Sequence, residues 1–374
     1  MAFNMLTTFT RDASLRYLKN TCLIAMHGSG ASCEATVYSN SEHDILLGNL
    51  GLTIVTKSFK TDGLAYPFLL RFIRNIDKSY LTEMVCKPLI LVKPFELSLI
   101  PYNMLRKKSY PPDIWTFEMV KAAKILYGDD KVLQLFNTNF SYNSGFKIII
   151  NRLFGLNLCL PLIARTDFNN EVKVLIVNYE CVKGILAALE SLLVLMGKYC
   201  PSYSARGSLA SEAVSKYSEF FNNPDDVIET FKLATELKCN PQKLSAISPV
   251  DYWFKSRLLL QKCLLIYSAQ GFSIGNVYTK VNKRTWPKLK IKELYKFIIN
   301  GKISLSPLAD NNIENTAMRL MLSCVFSMDS HSCGKSSSNI ENLLLASRYA
   351  NFLHTHGEWH EILDHVKIIR NSNL

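Results

Sequence analysis

Two carboxylates and one glycine turn have the types and spacing for phosphate chemistry. An apolar run, Cys22 to Met26, stops abruptly at Gly28-Ser29-Gly30-Ala31; Glu42 and Asp44 follow, close to the start of a second apolar run. Glycine lets the backbone approach a phosphate closely, and free N–H groups there favour an anion. Carboxylates at i and i+2 on a strand point to one face. Such a pair can hold divalent metal for phosphoryl or nucleotidyl transfer. The plainer reading of Gly28–Gly30 is a tight turn between two core strands. A third acid, Glu96, stands between Phe95 and Leu97 in alternation with Ser98. That places it on the polar face of a strand expected within 88–101.

The order of these pieces resembles the nucleotidyltransferase superfamily, the polymerase-beta-like fold. In that family Gly-Ser follows the first strand, an acid-hydrophobic-acid motif lies on the second, and a third acid lies on a later one. Gly28-Ser29 matches the first element, and Ala31 with Glu34-Ala35-Thr36 matches the turn that often follows it. Thr116 to Asp130 is similar to the segment that closes many small domains of this kind. Asn151-Arg152-Leu153 and the segment Tyr179 to Tyr203 are similar to its helical extension. The likeness covers roughly the first 210 residues, and it rests on motif order more than on any single motif.

What the resemblance implies is transfer of a nucleoside monophosphate from a nucleoside triphosphate. Gly28, Ser29 and Gly30 would bind the nucleotide, and Glu42, Asp44 and Glu96 would be catalytic and hold Mg²⁺. One ion would activate the acceptor hydroxyl and the other steady the leaving pyrophosphate. The acid motif admits two registers. In the first, Ser41-Glu42-His43-Asp44-Ile45 is the motif, with His43 at a position that usually points into the core. In the second, the better strand, Leu52 to Lys57, is the aligned one. Asn49 and Gly51 then stand where the acids belong, and the fold is a degenerate one that serves as a nucleotide-, RNA- or protein-binding scaffold.

The elements that would position these residues alternate at first. A short helix over 9–20 leads into the first strand, Tyr66 to Tyr80 has one apolar face, strand sequence covers 88–101, and a helix runs from Trp115 to Tyr127 with Gly128 as its C-cap. Beyond about residue 135 strand signal fades and helices dominate: 146–156, 172–200, 223–237 and 249–269. The expected fold class is therefore α+β, with a small mixed-sheet nucleotidyltransferase-like domain over 1–135 and a helical bundle over 136–374.

Length and composition fit that division. The chain has 374 residues, 48% hydrophobic and 20% charged, enough for a sizeable core in two or three domains. No apolar run reaches a membrane span, since the stretch near Gly184 to Met196 is broken by Glu190. The N-terminus lacks a signal-peptide pattern. Ten cysteines fall singly, with no CxxC pair for structural zinc. These features lead to the expectation of a cytoplasmic protein with reduced thiols and no membrane partner. A net charge of +12 and a pI near 9.1 favour phosphate-rich partners. The most basic segment, 280–296, interleaves Lys280, Lys283, Arg284 and Lys288 with Trp286 and Tyr295, as a surface for nucleic acid would. A solvated connector is the plainer reading of it. Near the C-terminus His356, His360 and Asp364 share helical spacing, which ordinary surface histidines explain better than a metal site.

Overall fold

The computed structural model describes residues 2–32, 34–42, 44–48, 51–76, 89–91, 96–165 and 168–272. His43, Asn49, the basic segment 280–296 and the histidines beyond residue 350 lie outside the described residues. The described chain is α+β, with a small mixed sheet and many helices.

Helix α1 (Ala2–Tyr17) leads into strand β1 (Thr21–His27), whose apolar run is capped by a 3₁₀ turn over Gly28–Gly30. A hairpin follows, β2 (Val37–Ser39) and β3 (Asp44–Leu46). Strand β4 (Gly51–Thr56) and helix α2 (Phe59–Ile76) come next. Then come β5 (Leu89–Leu91), β6 (Glu96–Pro101) and the short α3 (Tyr102–Arg106). Helix α4 (Ile114–Ala122) opens on an Asp113 capping box with Thr116. It is followed by β7 (Lys124–Gly128).

Four strands form one sheet in the order β6-β4-β1-β7, with β4 and β6 parallel and the other two pairs antiparallel. A second sheet has the order β2-β3-β5. In the first sheet every residue of β4 is buried, as expected of a central strand covered on both faces. On one face Ile24 and Ile54 pack with Ala13, Leu18 and Leu69 from the α1 and α2 side. On the other, Leu23, Ala25, Val55 and Ile100 pack with Leu105, Met119 and Phe136. Each Leu, Ile, Val, Met or Phe among them contributes about 1.5–3 kcal/mol on burial.

One expected element changes type. The stretch 115–127 does not run as a single helix to a cap at Gly128: α4 stops at Ala122, and Ala123 is already extended. Lys124 to Gly128 instead pairs with β1. Ile125, Leu126 and Tyr127 suit a pleated edge, and pairing with β1 outweighs continuation of the helix. Gly128 has φ +96°, and a Cβ there would lie 2.0 Å from the Cys22 carbonyl oxygen. Glycine is thus required by close backbone approach in the sheet.

The chain divides into two compact units that interleave along the sequence. One comprises 1–145, 189–218 and 223–246. Its later helices are the C-terminal part of α6 (Glu171–Leu195), then α7 (Tyr203–Ser208), α8 (Ala210–Lys216) and α9 (Pro224–Cys239). The other takes in 146–188, 219–222 and the described residues from 247 onward. In that second unit α10 (Pro249–Ala269) touches α5 (Asn143–Arg165), through Trp253 Nε1 donating to the Leu156 carbonyl at 3.0 Å. It touches α6 through Cys263 Sγ and the Ala188 carbonyl at 3.5 Å. A Cβ on Gly184 would meet Ser256 Oγ at 2.0 Å, so α6 needs a glycine where α10 crosses it. Among the described residues no helix is long and apolar enough to cross a membrane.

Gly128→Ala is expected to destabilise the protein by more than about 2 kcal/mol, from positive φ and the clash with Cys22. Gly28→Ala, with φ +68° but open space around the added Cβ, is expected to cost only about 1 kcal/mol. Urea unfolding of the two variants checks the difference; equal losses would overturn it.

Candidate functional site

The register of the four-stranded sheet decides which side chains meet at the end of β1. His27 pairs with Gly51, and Gly51 pairs with Glu96. Cross-strand partners share a face, so His27, Gly51 and Glu96 form one row. The next row on that face is Ala25, Thr53 and Ser98, and the third is Leu23, Val55 and Ile100. The face thus grades from an apolar core to a polar rim beside the Gly28–Gly30 turn.

At Gly51 the absent side chain has a structural use. A Cβ there would lie 2.5 Å from His27 Cε1 and 3.0 Å from Nε2, so the imidazole occupies the space of side chain 51. Trp115 from α4 lies against the same imidazole, with ring centroids 6.0 Å apart. Nε2 is enclosed and has no hydrogen-bond partner among the described residues. Burial pushes the His27 pKa below its ordinary value, and the Glu96 carboxylate opposes this. The net direction is downward, so the imidazole is neutral at neutral pH.

The expected site residues divide between two sheets. Gly28, Ser29 and Gly30 form the turn: Ala31 and Ser32 N–H groups donate to the Gly28 carbonyl at 3.0 and 3.3 Å, and Glu34 N–H donates to Ser29 at 2.8 Å. Glu96 opens β6 and is exposed. Glu42 lies in the turn of the β2–β3 hairpin, where its N–H donates to Asn40 Oδ1 at 3.0 Å. That local bond reverses the chain there, so Glu42 and Asp44 do not form an i, i+2 pair on one strand. Asp44 opens β3, in the three-stranded sheet opposite Ser39. The strand beside Glu96 is β4, and its sequence Gly-Leu-Thr-Ile-Val-Thr carries no acid. The row therefore offers one carboxylate, whereas hard divalent cations favour several oxygen ligands. Among the described residues no group of three or more His, Cys, Asp and Glu side chains is arranged to hold a metal ion.

Sequence reasoning missed His27 and a buried charged cluster in the same unit. Glu34 accepts from Ser32 Oγ at 3.0 Å, Ser202 Oγ at 2.9 Å, Tyr203 N–H at 3.0 Å and Ser204 N–H at 3.2 Å. It thereby ties the segment after the glycine turn to the start of α7. Burial alone would raise the Glu34 pKa, but these bonds together hold it below the carboxylate range. Arg206, 3% exposed, donates to Glu190, to the Pro201 carbonyl at 2.5 Å and to Tyr199 at 3.3 Å. It also lies 4.1 Å from the Tyr203 ring centre. Tyr199 donates to Glu118, whose carboxyl burial pushes up although Arg206 and Tyr199 pull it down. Lys238, fully buried, donates to Thr36 Oγ1 at 2.5 Å. The legible signal was Glu190, an acid interrupting an apolar helix, because buried acids are normally paired.

Arg206→Met is expected to cost about 3–5 kcal/mol, since it strands Glu118 and Glu190. Glu34→Gln is expected to cost about 1 kcal/mol, its carboxylate being only partly buried. Because the folded pKa of Glu34 lies below its unfolded value, its stabilisation is complete above the ordinary carboxylate range and disappears as pH falls through the folded value. Urea midpoints from neutral to acid pH should show a shallower acid decline in Glu34→Gln than in the parent. An identical decline would refute the role of these hydrogen bonds.

Comparison with known protein families, with curated proteins and with solved structures finds no match for this chain.

Proposed function

We propose that the chain is a catalytically degenerate nucleotidyltransferase-like protein. In this reading it holds the phosphates of a nucleoside triphosphate at Gly28–Gly30 without two-metal chemistry. One observation carries the reading: the strand between β1 and Glu96 begins at Gly51, and His27 fills the space that a metal-binding side chain would need there. Nucleotidyl transfer by the two-ion route needs several carboxylates around the reacting phosphate, and that row has one. Asp44 belongs to the other sheet and Glu42 to the turn of its hairpin, so neither stands in that row.

Binding is supported by different features. Gly28 has open space where a Cβ would stand, so a phosphate can approach its backbone. The net charge of +12 favours an anion as ligand. The order of glycine turn, partner strand and later strand resembles that of the family, and the run of later helices is similar to its extension.

The test is titration of the full chain with ATP at low salt, with and without Mg²⁺, beside an assay for nucleoside monophosphate transfer. Expected are binding that is unchanged by Mg²⁺ and by Asp44→Asn, and no transfer. Mg²⁺-dependent turnover abolished by Asp44→Asn would overturn the degenerate reading. Absence of ATP binding at low salt, where screening is weakest, would remove nucleotide binding altogether.

A further inference from the structure

Helix α2 is apolar on two sides. Its inner side puts Ala65, Tyr66 and Leu69 against the sheet core. On its outer side Leu64 and Phe68, one turn apart, are 77% and 66% exposed, and Phe59 at the helix start is 48% exposed. Scattered exposed apolar residues are ordinary, but large ones gathered on one helix mark a contact surface. The polar residues around them are cationic. The 18 residues of α2 include Lys60, Arg71 and Arg74 and one acid, Asp62, which is 3% exposed. By helical spacing Lys60 and Arg71 stand at either end of the Leu64–Phe68 row. Asp62 accepts from Asn20 N–H at 3.2 Å and from Asn20 Nδ2 at 3.1 Å. Asn20 Nδ2 also reaches Thr61 Oγ1 at 3.1 Å, and Lys57 N–H donates to the Asn20 carbonyl at 3.0 Å. These bonds hold Lys19 and Lys57, both exposed, beside the first turn of α2. In α1, which shares the core, Arg16 is exposed and the one acid, Asp12, is paired with Arg11 at 2.7 Å.

We propose that the outer side of α2 docks on an anionic phospholipid bilayer. Leu64, Phe68 and Phe59 enter the headgroup boundary, while Lys19, Lys57 and Arg16 meet lipid phosphates and carboxylates. Charge complementarity selects this occupant: the only acid of α2 is buried and the only acid of α1 is paired, so cations face an approaching surface. Apolar insertion and a basic rim are the two signals that surface anchoring requires. Such contact needs no spanning segment, so the lack of an apolar run of that length does not bear on it. A second copy docked two-fold would set these cations against their own equivalents. A base cannot stack on leucine, so a nucleic-acid partner leaves Leu64 unexplained. Side chains as exposed as Leu64 and Phe68 project from the helix, whereas a partner helix would need a groove. The inference is independent of phosphate binding at Gly28–Gly30.

Co-sedimentation of the full chain with phosphatidylcholine vesicles, with and without phosphatidylserine, tests this. Expected is binding to the mixed vesicles alone, declining as salt rises. Leu64→Ser with Phe68→Ser is expected to weaken that binding about tenfold or more, through lost apolar transfer. Lys19→Gln with Lys57→Gln is expected to weaken it about fivefold for each lysine and to flatten the salt dependence. All four positions are exposed, so urea midpoints should match the parent's and loss of fold cannot imitate loss of binding.

Insertion has a direct readout in Phe68→Trp, whose fluorescence lipids brominated on the acyl chain should quench beyond the parent's. Vesicle binding that ignores Leu64→Ser with Phe68→Ser would be charge attraction alone and would overturn the docking surface. So would absence of binding to the mixed vesicles at low salt. A dimer in sedimentation velocity that the same double variant turns to monomer would assign the surface to a second copy instead. An RNA oligonucleotide that binds and is lost with that double variant, without vesicle binding, would assign it to nucleic acid.

Discussion

The alignment of His27 with Gly51 is the constraint on which the rest of this sheet depends. A strand's side chains alternate with period two, so one residue of slip would turn every inward group outward. With His27 opposite Gly51, Leu23 and Ala25 enter the core beneath α4, and Ile24 enters the core beneath α1 and α2. The parallel pairing of β4 with β6 then carries the register across, placing Ile100 in the first core and Leu97 and Leu99 against the second. The same alignment puts the polar ends of three strands side by side. Core packing and edge chemistry are therefore set by one register.

Charges complete the unit that the sheet begins. Arg206 is buried among Glu118, Glu190, Tyr199 and Tyr203. Desolvation of such groups exceeds what hydrophobic packing of equal volume would cost, so the cluster is not there for maximal stability. It does fix geometry: hydrogen bonds with directional partners allow few alternative arrangements. Glu34 and Thr36 reach the same helices from the segment just after the glycine turn. Residues 189–218 and 223–246 are thereby tied to the N-terminal part of the same unit by polar contacts at separations of more than 80 residues, for example Tyr199 with Glu118.

Local pattern was a good guide where one period dominated. The apolar run before Gly28 is a strand, and the partner strand at Gly51–Thr56 follows its β-branched content. The helices at 143–165, 171–195, 224–239 and 249–269 carry strong apolar content or clear starts, such as Asn223-Pro224 and Ser248-Pro249. Pattern failed at Lys124–Gly128, because helix and edge strand are alike over so short a run, Ile125 to Tyr127, and only pairing with β1 separates them. It failed again at Glu42, whose N–H donates to the Asn40 side-chain oxygen and so makes a turn out of a sequence that alternates like a strand. His27 was illegible for a different reason. Its position against Gly51 is a cross-strand fact 24 residues away, and no spacing along the chain encodes it.

A single acid beside a glycine turn has a definite electrostatic meaning. Two unit charges 4 Å apart interact by about 1 kcal/mol in bulk water and about 4 kcal/mol at an effective dielectric of 20. A row with three carboxylates would repel a triphosphate by a multiple of that unless divalent ions neutralised it, so such a site needs metal before it can take its anion. The row here has one carboxylate, one glycine and one imidazole kept neutral by burial. Its attraction for a divalent cation is smaller, and so is its repulsion of a phosphate. A row with few carboxylates thus attracts divalent metal less and repels an anion less, by the same charges. On the reading proposed above, an edge of this composition takes a phosphate without two-ion chemistry.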